Sequence, residues 1–259
     1  MQISGFITLT TDWGHHDFYT GMFKGRLVTD CPELRVIDLT NNVPSYNINH
    51  ASFIIRHSYR SFPVGTIHVC MVNSDSEKKP SILYTQVEGH HFLVPDNGML
   101  NLCFSEPPSM VRQVFFEPSN GFASLDCVVG LIRSLSAGVD FNQFGQEAKS
   151  YNDRIAIRAT IDESIINGNI IYIDSYQNAI SNISRSLFAR VGQGRRFDMY
   201  VQSNFNHIVT ISESYSQVDS GELLALFNSA DLLEVAIRDG FAAQLLSISV
   251  GSGVRVKFR

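Results

Sequence analysis

Apolar and polar positions follow two different rhythms along the chain, and the change between them falls near residue 150. In the first part, compact β-rich runs alternate with stretches of helical period, the pattern of an α/β domain with a mainly parallel sheet. Residues 6–10, 34–39 and 66–72 read as strands, and 18–29 and 47–58 as helices. The third strand is almost wholly apolar, as expected when helices cover both faces of a sheet. Residues 81–84 and 91–94 read as a short antiparallel pair, and 97–104 and 124–137 as helices.

Beyond that point come short alternating runs separated by Gly, Asn and Ser, at 155–160, 169–174, 197–201, 221–227, 233–237 and 254–258. Such spacing predicts strands joined by turns. The expected organisation is an α/β domain over residues 1–150 and an all-β, barrel-like domain over 151–259. Open α/β sheets bind ligands beyond the carboxyl ends of their strands. The loops 11–17, 41–47 and 73–80, rich in Asp, Asn and Ser, are therefore the expected site walls.

Charge and composition narrow the classes of partner. The 259 residues carry 20 Lys+Arg against 25 Asp+Glu, a net charge of −5, and 44% are hydrophobic. There is no global basic field for nucleic acid or an anionic membrane, and the densest basic runs, Lys78-Lys79 and Arg195-Arg196, read as solvated turns. Cys31, Cys70, Cys103 and Cys127 stand apart without a C-x-x-C spacing, so reduced thiols are expected rather than a zinc or redox site. No window approaches the roughly 18–20 apolar residues of a membrane span, and the first residues lack a charged leader. The cytoplasm is the expected address.

The Gly-rich nucleotide loops, the nucleophile elbow and the zincin helix are all missing. His90-His91 open a strand, so one is expected to face inward and the other outward, and no metal set is expected. Thr10-Thr11-Asp12-Trp13-Gly14-His15-His16-Asp17 places two carboxylates after the first strand. A carboxylate there can accept two hydrogen bonds from a vicinal diol such as ribose, and a second can hold an ammonium group. Equally, Asp17 can cap the helix that follows.

Several segments taken together resemble one family. Residues 7–14 and Gly21-Met22-Phe23-Lys24-Gly25 look like the opening of the S-adenosylmethionine (SAM) hydroxide adenosyltransferases, which also include a SAM-dependent fluorinase and chlorinase. Val36-Ile37-Asp38-Leu39-Thr40, Asn42-Val43-Pro44 and residues 62–69 follow in the same order. So do Val94-Pro95-Asp96-Asn97-Gly98-Met99-Leu100, residues 172–178 with Ser181-Asn182-Ile183, Asn228-Ser229 and residues 236–243. The resemblance implies a trimer with SAM sites between the first domain of one subunit and the second domain of the next. It implies SAM as substrate with no further cofactor, and attack of hydroxide or halide on the 5′ carbon with methionine leaving. Such chemistry asks the protein to desolvate the nucleophile, align it and hold the ribose.

By the same resemblance, Asp12 grips the ribose hydroxyls, Asp17 lies near the methionine amino group and Tyr46 packs on the ribose. Asp174 contacts the ammonium, Tyr176 and Asn178 the adenine, and Ser229 the methionine carboxylate, while Arg238, Asp239 and Gly240 offer backbone groups to the adenine edge. Alternatively, Asp174 and Asn178 shape a turn and Tyr46 packs an interface.

The departures concern the Asp-Arg-His triad of the hydroxide-using members. Asn73 stands for the Asp, Lys79 for the Arg and Ala123 for the His. Asn73 cannot accept a proton and Ala123 has no polar side-chain atom, so the triad's acid–base work is lost at those positions. Asp75, Glu77 and Ser124 are the nearby groups able to rebuild it, and no halogenase anion pocket matches the loop. Two functions remain: a SAM-cleaving enzyme giving adenosine and methionine, or a silent SAM- or adenosine-binding protein.

Overall fold

The computed structural model describes residues 3–75, 79–118 and 121–259, which divide into two compact units, Met1–Ile155 and Ala156–Arg259. The first contains β1 (Phe6–Thr11), α1 (Tyr19–Asp30), β2 (Arg35–Thr40), α2 (Ile48–Ser58), β3 (Ile67–Met71) and β4 (Ser81–Val87). β5 (His90–Pro95), α3 (Met99–Leu102), β6 (Val111–Phe115), α4 (Ala123–Ser136) and β7 (Gln146–Glu147) complete it. Its strands form one sheet in the order β2-β1-β3-β5-β4-β6-β7. β2, β1, β3 and β5 run parallel, whereas β4, β6 and β7 add antiparallel, so the sheet is mixed.

Both faces are buried. Alternate side chains of a strand point to opposite faces, and β3 divides accordingly. Ile67, Val69 and Met71 pack with Phe23 and Leu27 of α1 and Leu125, Val128 and Ile132 of α4. Cys70 and Val72 pack with Ala51 and Ile55 of α2 and Met99 of α3. The helix expected over 97–104 is shorter, since Gly98 stands before it in a left-handed conformation (φ 93°).

His90 and His91 are both buried, against the expectation of one outward ring, because helices cover the outer face as well. His68 Nδ1 lies 2.8 Å from Thr8 Oγ1, and its Nε2 lies 3.1 Å from His90 Nδ1. On the other face, His91 Nδ1 lies 2.7 Å from the Tyr84 hydroxyl. Burial pushes His68 down to about 3 and His91 down to about 4.

The second unit contains β8 (Thr160–Asp162), β9 (Ile165–Ile173), β10 (Ala179–Ser184), α5 (Arg185–Gly192), β11 (Phe197–Val201) and β12 (Ser203–Ile208). β13 (Leu223–Phe227), β14 (Leu232–Ile237), α6 (Ala242–Leu245) and β15 (Gly253–Phe258) follow. The strands pair antiparallel in the order β12-β11-β15-β9-β10-β14-β13, with β8 also on β9. The Ser212 amide, beyond β12, donates to Ala225 O of β13 at 2.7 Å, which draws the two edges together into a nearly closed, barrel-like sheet. Residues 155–159, expected as a strand, have no regular structure.

The reading of this unit as wholly β overlooked α5. The Ser184 side chain caps it by accepting the Leu187 amide at 3.1 Å, and Gln193 ends it in a left-handed conformation. Asp198, buried on β11, accepts hydrogen bonds from Arg259 and from His207 Nε2, which ties the end of the chain to the sheet.

The buried histidines make stability depend on pH. The folded protein holds neutral rings, whereas an unfolded chain protonates them near pH 6.5. Their contribution is complete above 6.5 and is lost as the pH falls from there towards the folded values. Denaturant unfolding at pH 7 and pH 5 should show His68 alone costing about 2 kcal/mol on acidification, and His68→Gln should remove that part of the dependence. An identical pH dependence in the variant would contradict this.

Candidate functional site

The order of strands prepares a crevice. From β1 the chain moves outward to β2 through α1, then returns to the other side of β1 as β3 through α2. α1 lies on one face of the sheet and α2 on the opposite face. The connections therefore diverge beyond the carboxyl ends of β1 and β3, where ligands of open α/β sheets bind.

Asp12 stands at that point, immediately after β1. Its Oδ2 accepts the Tyr46 amide at 2.9 Å and the Asn73 amide at 3.3 Å, so one carboxylate joins the loops after β1, β2 and β3. Tyr46 and Asn73 both adopt left-handed backbone conformations, with φ 64° and 51°. That region costs a non-glycine residue roughly 1–2 kcal/mol, and such strain gathers at functional sites. The charged acceptor offsets it. Among the described residues nothing donates to Oδ1 of Asp12, and the Tyr46 side chain stands 74% exposed beside it. Two further bonds hold the loop after β3: Asn97 Nδ2 donates to Val72 O at 2.9 Å and to Asn73 O at 3.1 Å.

Trp13 fixes the other side of Asp12. Its buried ring packs edge-on against Phe23 at 6.2 Å and Phe122 at 5.2 Å between centroids. Phe122 is the residue before α4, so the helix start carrying Ala123 and Ser124 is brought beside the Asp12 loop. Ser124 is fully buried and donates to Asp75 Oδ2 at 2.9 Å, while Ser74 Oγ donates to the same oxygen at 3.1 Å. Asp17 is exposed and does not cap α1, whose start at Phe18 has no side-chain cap. Lys79 is exposed, and Glu77 and Lys78 lie outside the described residues. Among the described residues, no His, Cys, Asp and Glu groups are arranged to hold a metal ion.

In the second unit Asp174 organises a turn. Its Oδ1 accepts the Tyr176 amide at 2.9 Å and the Asn178 amide at 2.8 Å, and Oδ2 accepts Asn178 Nδ2 at 3.2 Å. The Ala243 amide donates to Gln177 O at 2.8 Å, which places this turn against the segment carrying Arg238, Asp239 and Gly240. Asp239 is left-handed (φ 57°), and a side chain on Gly240 would meet Ile237 Cγ2 at 2.7 Å. Ser229 lies at the opposite end of β14, beside the Asn228 that donates to buried Glu234 at 3.0 Å. Glu234 also accepts the Tyr215 hydroxyl at 2.5 Å. Burial, that bond and the charges of Glu234 and Asp174 push the Tyr215 hydroxyl well above its usual range. This Tyr215–Glu234–Asn228 group escaped the sequence reading, because an isolated Glu in an apolar run carries no signal of its partners.

Two compact units, the first with a carboxylate-centred crevice at a strand reversal, define an α/β ligand-binding protein with an appended β unit. The chain belongs to the SAM hydroxide adenosyltransferase family: the family's N-terminal domain matches residues 7–145 and its C-terminal domain residues 168–255. It is 24% identical over 95% of its length to the (R)-S-adenosyl-L-methionine hydrolase of Methanocaldococcus jannaschii, covering 94% of that protein. The enzyme of the same name from Thermus thermophilus is 23% identical, with 95% of this chain and 97% of the relative aligned. The crystal structure of an uncharacterized conserved protein from Thermotoga maritima has the same fold, with a TM-score of 0.86 at 24% identity over 97% of this chain and 99% of that one.

Removing the Asp12 carboxylate should loosen three loops at once. Asp12→Ala is expected to lower stability by about 1–3 kcal/mol in denaturant unfolding, the cost of leaving two amide donors without a charged acceptor. Unchanged stability would mean that the loops hold their conformations without it.

Proposed function

We propose that the protein binds SAM and cleaves it with water to adenosine and L-methionine. The observation that carries this reading is Asp12, held by two loop amides with Oδ1 open, in a chain whose family match runs through both units. In this reading Oδ1 and the remaining capacity of Oδ2 accept the two ribose hydroxyls. The exposed ring of Tyr46 packs on the sugar, and Asp17 lies near the methionine amino group. On the second unit, Asp174 faces the ammonium, Tyr176 and Asn178 the adenine, Ser229 the methionine carboxylate, and the backbone of Arg238, Asp239 and Gly240 the adenine edge. Oδ2 of Asp174, bonded only to the Asn178 side chain among the described residues, keeps lone pairs for that contact.

The sulfonium is a good leaving group, so the protein's task is positional. It fixes the ribose, excludes bulk water and aligns one nucleophile with the C5′–S bond. No cofactor enters this scheme. We further propose a homotrimer with each site between the α/β unit of one subunit and the β unit of the next. Tyr46, Tyr176 and Phe241, 74%, 75% and 55% exposed, are aromatic surface that such an interface and its ligand would cover. Asn73 and Ala123 favour a second reading, a protein that binds SAM or adenosine without cleaving it.

In ¹⁸O-water the first reading predicts adenosine with one ¹⁸O in its 5′-hydroxyl, unlabelled methionine, and a trimer by sedimentation. Adenosine or SAM binding by calorimetry with no adenosine release above the buffer blank would establish the second. Product formation only with chloride or fluoride would replace hydroxide by halide as the nucleophile.

A further inference from the structure

We propose that Asp75 is the base that accepts the proton of the attacking water, and that Ser124 and Ser74 position its carboxylate; this rests on the hydrolytic reading above. Asp75 is an exposed loop residue, a position where a carboxylate is ordinarily mobile and solvated. Here its Oδ2 is tied across the chain to Ser124, a fully buried side chain in the first turn of α4, and to Ser74 beside it. Ser124 and Ser74 hydroxyl oxygens are themselves 3.1 Å apart, so three polar groups from two elements form one cluster.

The cluster lies beside the Asp12 crevice. The Asn73 amide is bonded to Asp12, and Asp75 follows two residues later, a span of at most about 7 Å along the backbone. From the other side, Trp13 adjoins Asp12 and packs on Phe122, two residues before Ser124. Asn97 holds the backbone of the loop by two carbonyls. Both hydroxyls use Oδ2, and among the described residues nothing donates to Oδ1 of Asp75. The carboxylate is thus fixed at one oxygen and open to water at the other, as a positioned base requires.

The chemistry balances without a further reactant. The water oxygen bonds to C5′, the C5′–S bond breaks, and its electron pair returns to sulfur as the methionine thioether. The water proton passes to Asp75 Oδ1 and then to bulk solvent. One SAM cation and one water give adenosine, methionine and one proton. Asn73 has no basic atom for this step, and Ala123 has no polar side chain. Asp75 also stands near the start of α4, where a carboxylate has a purely structural use, and the test separates the two roles.

Steady-state hydrolysis of SAM by the full-length protein, with melting temperatures, decides the matter. Asp75→Asn should lower kcat roughly 100-fold or more and leave KM within about threefold, the scale of a lost general base. Formate should restore roughly tenfold or more of the activity lost in Asp75→Ala. Ser124→Ala should lower kcat by roughly tenfold at unchanged KM, through loss of carboxylate position rather than of substrate binding. A kcat within about threefold of wild type in both Asp75 variants would overturn the proposal. So would a loss that follows the melting temperature and resists formate. Wild-type protein that releases no adenosine would overturn the hydrolytic reading itself, and the base with it.

Discussion

One constraint governs the first unit: the chain places β2 and β3 on opposite sides of β1, which sends α1 and α2 to opposite faces of the sheet. Diverging connections leave the carboxyl ends of β1 and β3 uncovered by helix, and polar backbone there must find other partners. Asp12 answers that need by accepting the amides of Tyr46 and Asn73. The same bonds that satisfy the loops hold a tyrosine ring outward and two residues in costly backbone conformations. Structure and site are therefore not separable at this position.

The sheet beneath is built to stay rigid. β3 sends alternate side chains into two apolar layers, and the buried polar groups of the sheet include Thr8, Thr10, Thr85 and Gln113 beside histidines held neutral by burial. These rings line β3 and β5 within the sheet, whereas the carboxylates Asp12 and Asp75 stand in loops at its edge. Charge is thus kept where solvent and a cationic ligand can reach it, and the interior carries hydrogen-bonding groups without net charge.

Much of this was legible in the sequence. The strands near residues 6, 34 and 66 and the helices between them stand out as compact apolar runs and longer segments, and the loops after those strands carry the Asp12, Tyr46 and Asn73 that the fold brings together. The mixed character of the sheet was less visible, because β6 alternates only weakly and β7 has two residues. Residues 155–159 have the alternation of a strand but no strand, since periodicity describes a face and not its pairing partner. α5 was missed because eight residues are too few to establish a helical period, and its evidence was the Ser184 cap. The link between Asp75 and Ser124 was out of reach: a hydrogen bond between positions 49 residues apart leaves no local trace.

Asp12 holds the loops, and in the function proposed above it also recognises a ribose diol. The most direct test of that recognition is a calorimetric cycle with adenosine and 2′,3′-dideoxyadenosine against wild type and Asp12→Asn. Wild type should prefer adenosine by about 1–3 kcal/mol, the range for hydrogen bonds to a charged group, and the preference should largely disappear in the variant. An equal preference in both proteins would show that the diol is held elsewhere and would contradict the account.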